Sequence, residues 1–149
     1  MRLGPPLARK APLVYAALCF AAAISTAQAA SISMVAYLSG ASVVPPNRSA
    51  AFGEADFTYD SASGELNYFI SYEGLPSAQV EIHGPSSTTE NAPVVIPFPM
   101  PQSPVSGILV LNSRQADTLL AGELYVEVHG RGRAEDAIRG QIEKRQIEK

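Results

Sequence analysis

Alternation of apolar and polar residues over short segments is the feature that most limits what this 149-residue chain can fold into. Between Glu54 and Asp60 the apolar side chains fall on every second position, and Glu65–Tyr72 repeats the pattern after the turn Ser61–Gly64. A period of two is typical of strands with one buried face, because successive side chains on a strand point to opposite faces. The sequence therefore predicts a β-hairpin here, and no segment after residue 29 has a long helical period.

Six more segments have the length and pattern of short strands. They are Ile32–Leu38, Gln79–His83, Val94–Ile96, Ile108–Leu111, Glu123–His129 and Ala137–Glu143. One helix is expected over Arg114–Ala121, with Leu119 and Leu120 facing inward and Gly122 ending it. About eight short strands separated by turns predict an all-β fold, an antiparallel β-sandwich or barrel with one short helix.

A proline-rich stretch interrupts this pattern. Pro85–Pro104 holds six of the nine prolines that follow residue 29. Proline cannot donate to a strand ladder, so the stretch is expected to be a long loop or a poor edge strand. Two interpretations stay open, a binding loop and an irregular crossover between two sheets.

The first 29 residues have the composition of a secretory signal peptide. Basic residues at positions 2, 9 and 10 precede the apolar run Ala11–Ile24, and Ala27–Ala29 supplies small residues where a signal peptidase cuts. Cleavage after Ala29 predicts a secreted or periplasmic protein. A membrane anchor is the rival, but the run is shorter than the roughly 20 residues that span a bilayer. A lipoprotein at Cys19 is a third possibility, although Leu18 stands where a small residue is expected.

This assignment divides the chain into three parts: a signal peptide over 1–29, a β domain over 30–142 and a charged tail over 143–149, which we expect to be frayed or a short exposed helix. Removing the signal peptide takes away three basic residues and leaves 8 Lys and Arg against 14 Asp and Glu, a net charge of −6. So acidic a domain has no general attraction for nucleic acid or anionic lipid, and no second apolar run predicts a membrane span.

Sequence motifs for catalysis are lacking. The only cysteine lies within the signal peptide, which excludes a thiol enzyme and a disulfide scaffold. The chain has no Gly-x-Ser-x-Gly elbow, no phosphate-binding glycine loop and no HExxH pair. We therefore expect a protein that is not an enzyme. The sequon Asn47-Arg48-Ser49 would be glycosylated only on a eukaryotic secretory route.

Three predicted strands each carry a pair of polar residues on the side away from the core. The pairs are Glu81 and His83, Glu127 and His129, and Arg139 and Gln141. Residues two apart on a strand project from the same face, so the pairs meet if the strands are neighbours. Two histidines with two carboxylates, Glu81, His83, Glu127 and His129, would suit zinc or copper. Arg139 opposes a cation and favours a structural network in which it pairs with Glu81 or Glu127. A solvated face and a site for a ligand or partner also remain open.

Several segments taken together resemble the CHRD domain, first named from chordin. In order along the chain they are Val44–Pro46, Ala51–Asp60, Leu66–Leu75, Ile82–Pro85, Leu120–His129 and Ile138–Ile142. The resemblance spans Met34 to Ile142 and implies an extracellular or periplasmic β-rich domain. Two positions depart from the family pattern: Glu81 replaces the first histidine of Ala-His-Ile-His, and Glu127 replaces an asparagine. A metal site of paired histidines would thereby lose one nitrogen ligand and gain oxygen.

Two functions follow as hypotheses. The first is a non-enzymatic secreted module that binds an unknown protein, glycan or surface component, which the signal peptide and the lack of a catalytic motif favour. The alternative is a metal-binding protein, for zinc or copper, that uses the His and Glu cluster.

Overall fold

The computed structural model describes residues 31–76, 78–98, 102–130 and 133–146, with the side chains of 133 and 134 left out. This part of the chain forms nine strands and one α-helix. In chain order they are β1 (Ser31–Ser39), β2 (Phe52–Asp60), β3 (Glu65–Glu73), β4 (Ala78–His83), β5 (Val94–Pro97), β6 (Val105–Val110), α1 (Ser113–Leu120), β7 (Tyr125–Gly130), β8 (Arg133–Gln141) and β9 (Glu143–Lys144).

All nine strands belong to one antiparallel sheet in the order β5-β4-β7-β8-β1-β2-β3-β6, with β9 beside β1. The all-β prediction is confirmed. The architecture is a single sheet curled into a half-barrel, rather than two stacked sheets. Phe98, just after β5, packs edge-to-face on Tyr68 of β3 with ring centroids 4.8 Å apart. This contact brings the two ends of the sheet close together.

One face of the sheet forms the hydrophobic core. Met34 and Leu38 of β1, Ala55 and Phe57 of β2 and Val126 of β7 are buried in the same cluster. These are the apolar positions of the alternating pattern, so burial of one face selects the register of each strand. The opposite face therefore carries the polar positions.

The β2–β3 hairpin forms where the sequence predicted it. The side chain of Asp60 accepts hydrogen bonds from the backbone N–H groups of Ala62 and Ser63, at 2.7 and 3.1 Å. Gly64 then adopts φ 75°, a left-handed conformation that glycine reaches without steric cost. This local chemistry closes the turn and sets the pairing of Tyr59 with Leu66.

The predicted helix also forms, between β6 and β7. Asn112 caps its N-terminus and makes a reciprocal capping box with Gln115, which satisfies two free backbone donors. Leu119 is buried and Leu120 is half-buried against the core. The helix thus covers part of the core face while connecting two distant strands.

The structure differs from the sequence predictions at several boundaries. β8 begins four residues before the predicted Ala137, whereas the predicted strand Val94–Ile96 forms as the short edge strand β5 within the proline-rich stretch. Glu143–Lys144 pairs with β1, and the N–H of Arg145 donates to Ser33, so this part of the tail is extended. The predicted signal peptide lies outside the residues that the structure describes. Within the described ranges, no helix combines the length and apolar character needed to cross a membrane.

Candidate functional site

Strands β4, β7 and β8 are neighbours, and they place the predicted site residues on one face of the sheet. Glu81 lies opposite Glu127, which in turn lies opposite Arg139; His83 lies opposite Tyr125. We call this surface the polar face. Its side chains come from Glu81, His83, Tyr125, Glu127, His129, Arg139 and Gln141.

Glu81 lies between the two histidines. Its Oε2 atom is 3.3 Å from Nε2 of His83 and 3.3 Å from Nε2 of His129, and the second contact is a hydrogen bond. The three side chains are mostly buried, with 11–23% of each exposed. A carboxylate in this position therefore links β4 to β7 through its bond with His129.

The environment of His83 fixes which ring nitrogen carries its proton. Nδ1 lies 2.9 Å from the carbonyl oxygen of Ala92, and a carbonyl oxygen can only accept, so Nδ1 is the donor. In the neutral ring, Nε2 is then an acceptor. It is buried and makes no hydrogen bond within the described structure, although the Glu81 oxygen is close to it. A neutral His83 ring presents a lone pair to the Glu81 carboxylate at this position, whereas a protonated ring would donate to it.

Tyr125 stands at the centre of the polar face. Its ring stacks on that of His83 with centroids 5.0 Å apart and planes 8° apart, and Cζ of Arg139 lies 3.5 Å from its centroid. The Tyr125 hydroxyl accepts from the N–H of Ala92 at 3.1 Å and donates to the carbonyl of Ala92 at 3.4 Å. The ring therefore separates Arg139 from the histidines and holds residue 92 in place.

Arg139 is 1% exposed and supports a loop rather than a carboxylate. Its guanidinium donates to the carbonyls of Glu90 and Ser87, both at 2.8 Å, and to the side-chain oxygen of Asn91 at 3.3 Å. Burial lowers the pKa of Arg139, and electrostatic interactions with Tyr125 and Glu127 partly offset that effect. The sequence pattern favoured pairing of Arg139 with Glu81 or Glu127; its hydrogen bonds instead go to this loop.

The loop that Arg139 supports runs from Gly84 to Pro93, and we call it the covering loop. Gln141 donates to the carbonyl of Ser86 at 3.1 Å and to that of Gly122 at 2.8 Å. The Ser86 hydroxyl in turn bonds the carbonyl of Glu90 at 2.6 Å. Arg139, Gln141 and the His83–Tyr125 pair therefore hold this half of the proline-rich stretch over the polar face.

A second segment, Val43–Asn47, borders the same face, and we call it the proline wall. The side-chain amide of Asn47 donates to the carbonyl of Ala137 at 2.8 Å. Asn91 of the covering loop donates to the carbonyl of Val44 at 2.8 Å. The wall is thus tied both to β8 and to the covering loop. The amide of the possible glycosylation site has a structural hydrogen bond.

A cleft of about 440 Å³ opens between these two segments and the sheet. Its lining residues are Val43, Val44, Pro45, Pro46, Asn47, His83, Asn91, Ala92, Tyr125, Glu127, Glu135 and Ala137. One side is apolar and formed by the proline wall, and the other carries two carboxylates. A smaller cavity of about 290 Å³ includes Arg139, Gln141 and Glu143. The larger cleft is the candidate site, since it combines volume with His83 and Glu127.

Not all of the predicted metal ligands line this cleft. His83 and Glu127 do, whereas Glu81 and His129 meet farther along the polar face. Among the residues that the structure describes, no three His, Cys, Asp or Glu side chains are grouped to hold one metal ion. Zinc or copper binding at this face stays a prediction.

Sequence reasoning missed Tyr125, Asn91, Glu135 and the proline wall as parts of the site. Tyr125 carried a signal, because the alternation put a large aromatic residue on the side away from the core. Asn91 and Val43–Asn47 lie in irregular segments, where the period of two gives no information about position. Their role depends on hydrogen bonds between segments distant in the chain.

Comparison with known proteins identifies the family. The model of the CHRD domain matches residues 34–142, which is most of the chain. The chain therefore belongs to the CHRD domain family, as its sequence segments indicated, and CHRD domains are generally extracellular. Searches of curated proteins and of solved structures found no match.

Proposed function

We propose that this CHRD domain is a non-enzymatic binding module that acts outside the cytoplasm and takes its ligand in the cleft beside Tyr125. The small residues Ala27–Ala29 favour cleavage after Ala29, and the generally extracellular setting of the family supports export. The partner is a protein, glycan or surface component.

The observation that carries this proposal is the cleft itself. Its volume of about 440 Å³ falls in the range of small-molecule and side-chain sites, and its walls combine apolar and polar groups. Hydrogen bonds from Asn47, Asn91 and Arg139 hold the walls before any ligand arrives. A preformed site loses little conformational entropy on binding, which favours a recognition role.

Selection against displayed peptides and an array of glycans, with the purified protein as bait, tests the proposal. The blocking variant is Val44→Trp, which adds a bulky ring to the proline wall. The matched control is Thr58→Trp, on an exposed position of β2. We expect enriched ligands that the wild type and the control retain and that the blocking variant loses by about tenfold or more. Absence of enrichment, or equal retention by all three proteins, would contradict the proposal.

Metal binding is the second candidate, and two distances around Glu81 motivate it, although the described residues include no ready grouping of three ligands for one ion. The 3.3 Å distances from Oε2 to the two imidazole nitrogens are close to the spacing of neighbouring ligands around a tetrahedral ion with bonds of about 2.0–2.1 Å. His83 also has the arrangement common in metal-binding histidines, with one nitrogen donating to a backbone carbonyl and the other free.

Thermal unfolding with and without zinc or copper tests this candidate. A resident ion stabilises the folded state in proportion to the logarithm of its concentration over Kd, so it raises the Tm. If the metal hypothesis is right, the Tm rises with added metal in the wild type and stays constant in His83→Ala and His129→Ala. A wild-type Tm that does not respond to either metal would exclude it.

A further inference from the structure

We infer that the ligand of the cleft beside Tyr125 is a cationic side chain, an Arg or Lys presented by a protein partner. This inference rests on the proposed binding function and adds the chemical class of the ligand. It is carried by the charge of the cleft, its apolar wall and the hydrogen bonding of its lining.

Charge on the cleft has one sign. Among the lining residues that the structure describes, the groups that are charged at neutral pH are the carboxylates of Glu127 and Glu135. The nearest buried cation, Arg139, lies on the other side of the Tyr125 ring from His83 and is committed to the covering loop. Acidic groups beside a partly closed cleft attract a positive ligand, and low-dielectric walls strengthen that attraction.

The opposite wall suits the hydrocarbon part of the same ligand. Val43, Val44, Pro45 and Pro46 present apolar surface with no side-chain donor or acceptor. Arg and Lys each carry an aliphatic stem that packs on apolar surface while the charged end reaches polar groups. A bare metal ion would make no use of this wall, whereas a long cationic side chain fits both sides.

Hydrogen bonding within the lining adds a third feature. The side-chain amides of Asn47 and Asn91 already donate to the carbonyls of Ala137 and Val44, and Nδ1 of His83 donates to Ala92. With the carboxylates of Glu127 and Glu135, this makes the lining rich in acceptors and poor in free donors. Ammonium and guanidinium groups are purely donors, so they complement it.

Titration of the purified protein with three blocked amino acids, followed by backbone amide NMR shifts, tests the inference. The probes are N-acetyl-arginine amide, N-acetyl-lysine amide and N-acetyl-citrulline amide; the last has nearly the shape of the first but no charge. We expect both cationic probes to shift the amides of Val44, Ala92 and Tyr125, and to bind about tenfold more tightly than citrulline. Added salt should weaken the cationic probes selectively.

Charge-neutralising variants locate the effect. Glu127→Gln and Glu135→Gln should each reduce the affinity for the arginine probe several-fold, while Glu65→Gln, exposed at the start of β3, should leave it unchanged. Glu127 lies near Arg139, so Glu127→Gln can disturb the fold. Glu135 is exposed, so Glu135→Gln should leave the fold intact and still test the role of the carboxylate charge.

The results of these titrations distinguish the cationic ligand from the binding function itself. Equal binding of arginine and citrulline probes at the cleft would overturn the cationic ligand and leave the binding function intact. Shifts at His83 and His129 with zinc alone, and none with the cationic probes, would overturn it in favour of a metal. If no probe shifts the cleft residues while the peptide and glycan selection succeeds, the cationic inference is wrong and the binding function stands.

Discussion

The two halves of the sheet use the face away from the core in opposite ways. On β4, β7 and β8 that face is polar but largely buried, because the covering loop and the proline wall lie across it. On β2, β3 and β6 the same face is open, and Phe52, Phe69 and Ile108 are 58%, 48% and 60% exposed. Large apolar side chains are thus left outside while an arginine is buried.

Hydrogen bonding explains why an arginine is buried on one half while large apolar side chains are exposed on the other. A buried charge is tolerated only when its donors are satisfied, and the carbonyl groups of the covering loop satisfy those of Arg139. Arg145 on the open half is instead about half exposed and pairs with Asp56 and Glu54. The polar side chains of the covered half thus hold two irregular segments in place, and the cleft lies where these segments meet.

The strongest test of this contrast compares Arg139→Met with Arg145→Met. We expect Arg139→Met to lower the free energy of unfolding by about 3 kcal/mol or more, since it leaves the loop carbonyls without donors. Arg145→Met should cost less than about 1 kcal/mol, because its ion pairs are screened by solvent. Urea unfolding at pH 7 measures both. Equal losses would show that the covering loop does not depend on Arg139.

The seam between the two halves gives the second prediction. A Cβ atom added at Gly140 of β8 would lie 2.5 Å from the backbone oxygen of Tyr37 on β1, so the strands would have to separate. Gly140→Ala should therefore cost about 1–3 kcal/mol. Gly107→Ala is the comparison, since its Cβ would meet the side chain of Tyr68, with the hydroxyl oxygen at 2.6 Å, rather than the backbone of a neighbouring strand. A Gly107 variant as unstable as the Gly140 variant would contradict this account.

The open half of the molecule was predictable from sequence in more detail than the covered half. Alternation located the β2–β3 hairpin to within two residues at each end, and Asp60 and Gly64 marked its turn. The same alternation put Glu81 and Glu127 on one side of their strands. It could not show that Tyr125 would separate Arg139 from the histidines, because that depends on where the covering loop crosses the sheet.

The extended structure of the charged tail was not predicted either, because it also depends on contacts between distant segments. A charged segment with no apolar period predicts little structure, yet Glu143 pairs with Val35 in the sheet, and Arg145 reaches Asp56 and Glu54 on β2. Backbone pairing at the side of β1 left free by β8 needs no particular side chains, so the sequence carries no signal for it. Contacts made by the backbone between distant segments are thus the part of this fold that sequence patterns do not encode.

Removal of one buried and one exposed tyrosine hydroxyl gives the third prediction. Tyr125→Phe should lower the free energy of unfolding by about 1–2 kcal/mol, because the N–H of Ala92 loses a buried acceptor. Tyr37→Phe on β1, at a residue that is 65% exposed, should change it by less than about 0.5 kcal/mol. Unfolding curves followed by circular dichroism resolve this difference. If Tyr125→Phe leaves the free energy of unfolding unchanged, contacts other than this hydroxyl hold residue 92.

The smallest effect concerns Tyr72, on the core side of β3 in the open half, and it emerges only at alkaline pH. Burial raises the pKa of the Tyr72 hydroxyl, and a hydrogen bond with the Ser103 backbone opposes part of that rise. The unfolded chain ionises first, near pH 10, so the stability from this group is complete below that pH and is lost as the pH rises through the folded-state pKa. The wild type should therefore lose stability more steeply than Tyr72→Phe above pH 10, while the difference between them stays constant from pH 7 to 9. Urea unfolding at pH 7, 9 and 10.5 measures the two slopes. Parallel profiles would show that this hydroxyl ionises equally easily in the folded and unfolded chains, and that the core under the open half admits water at β3.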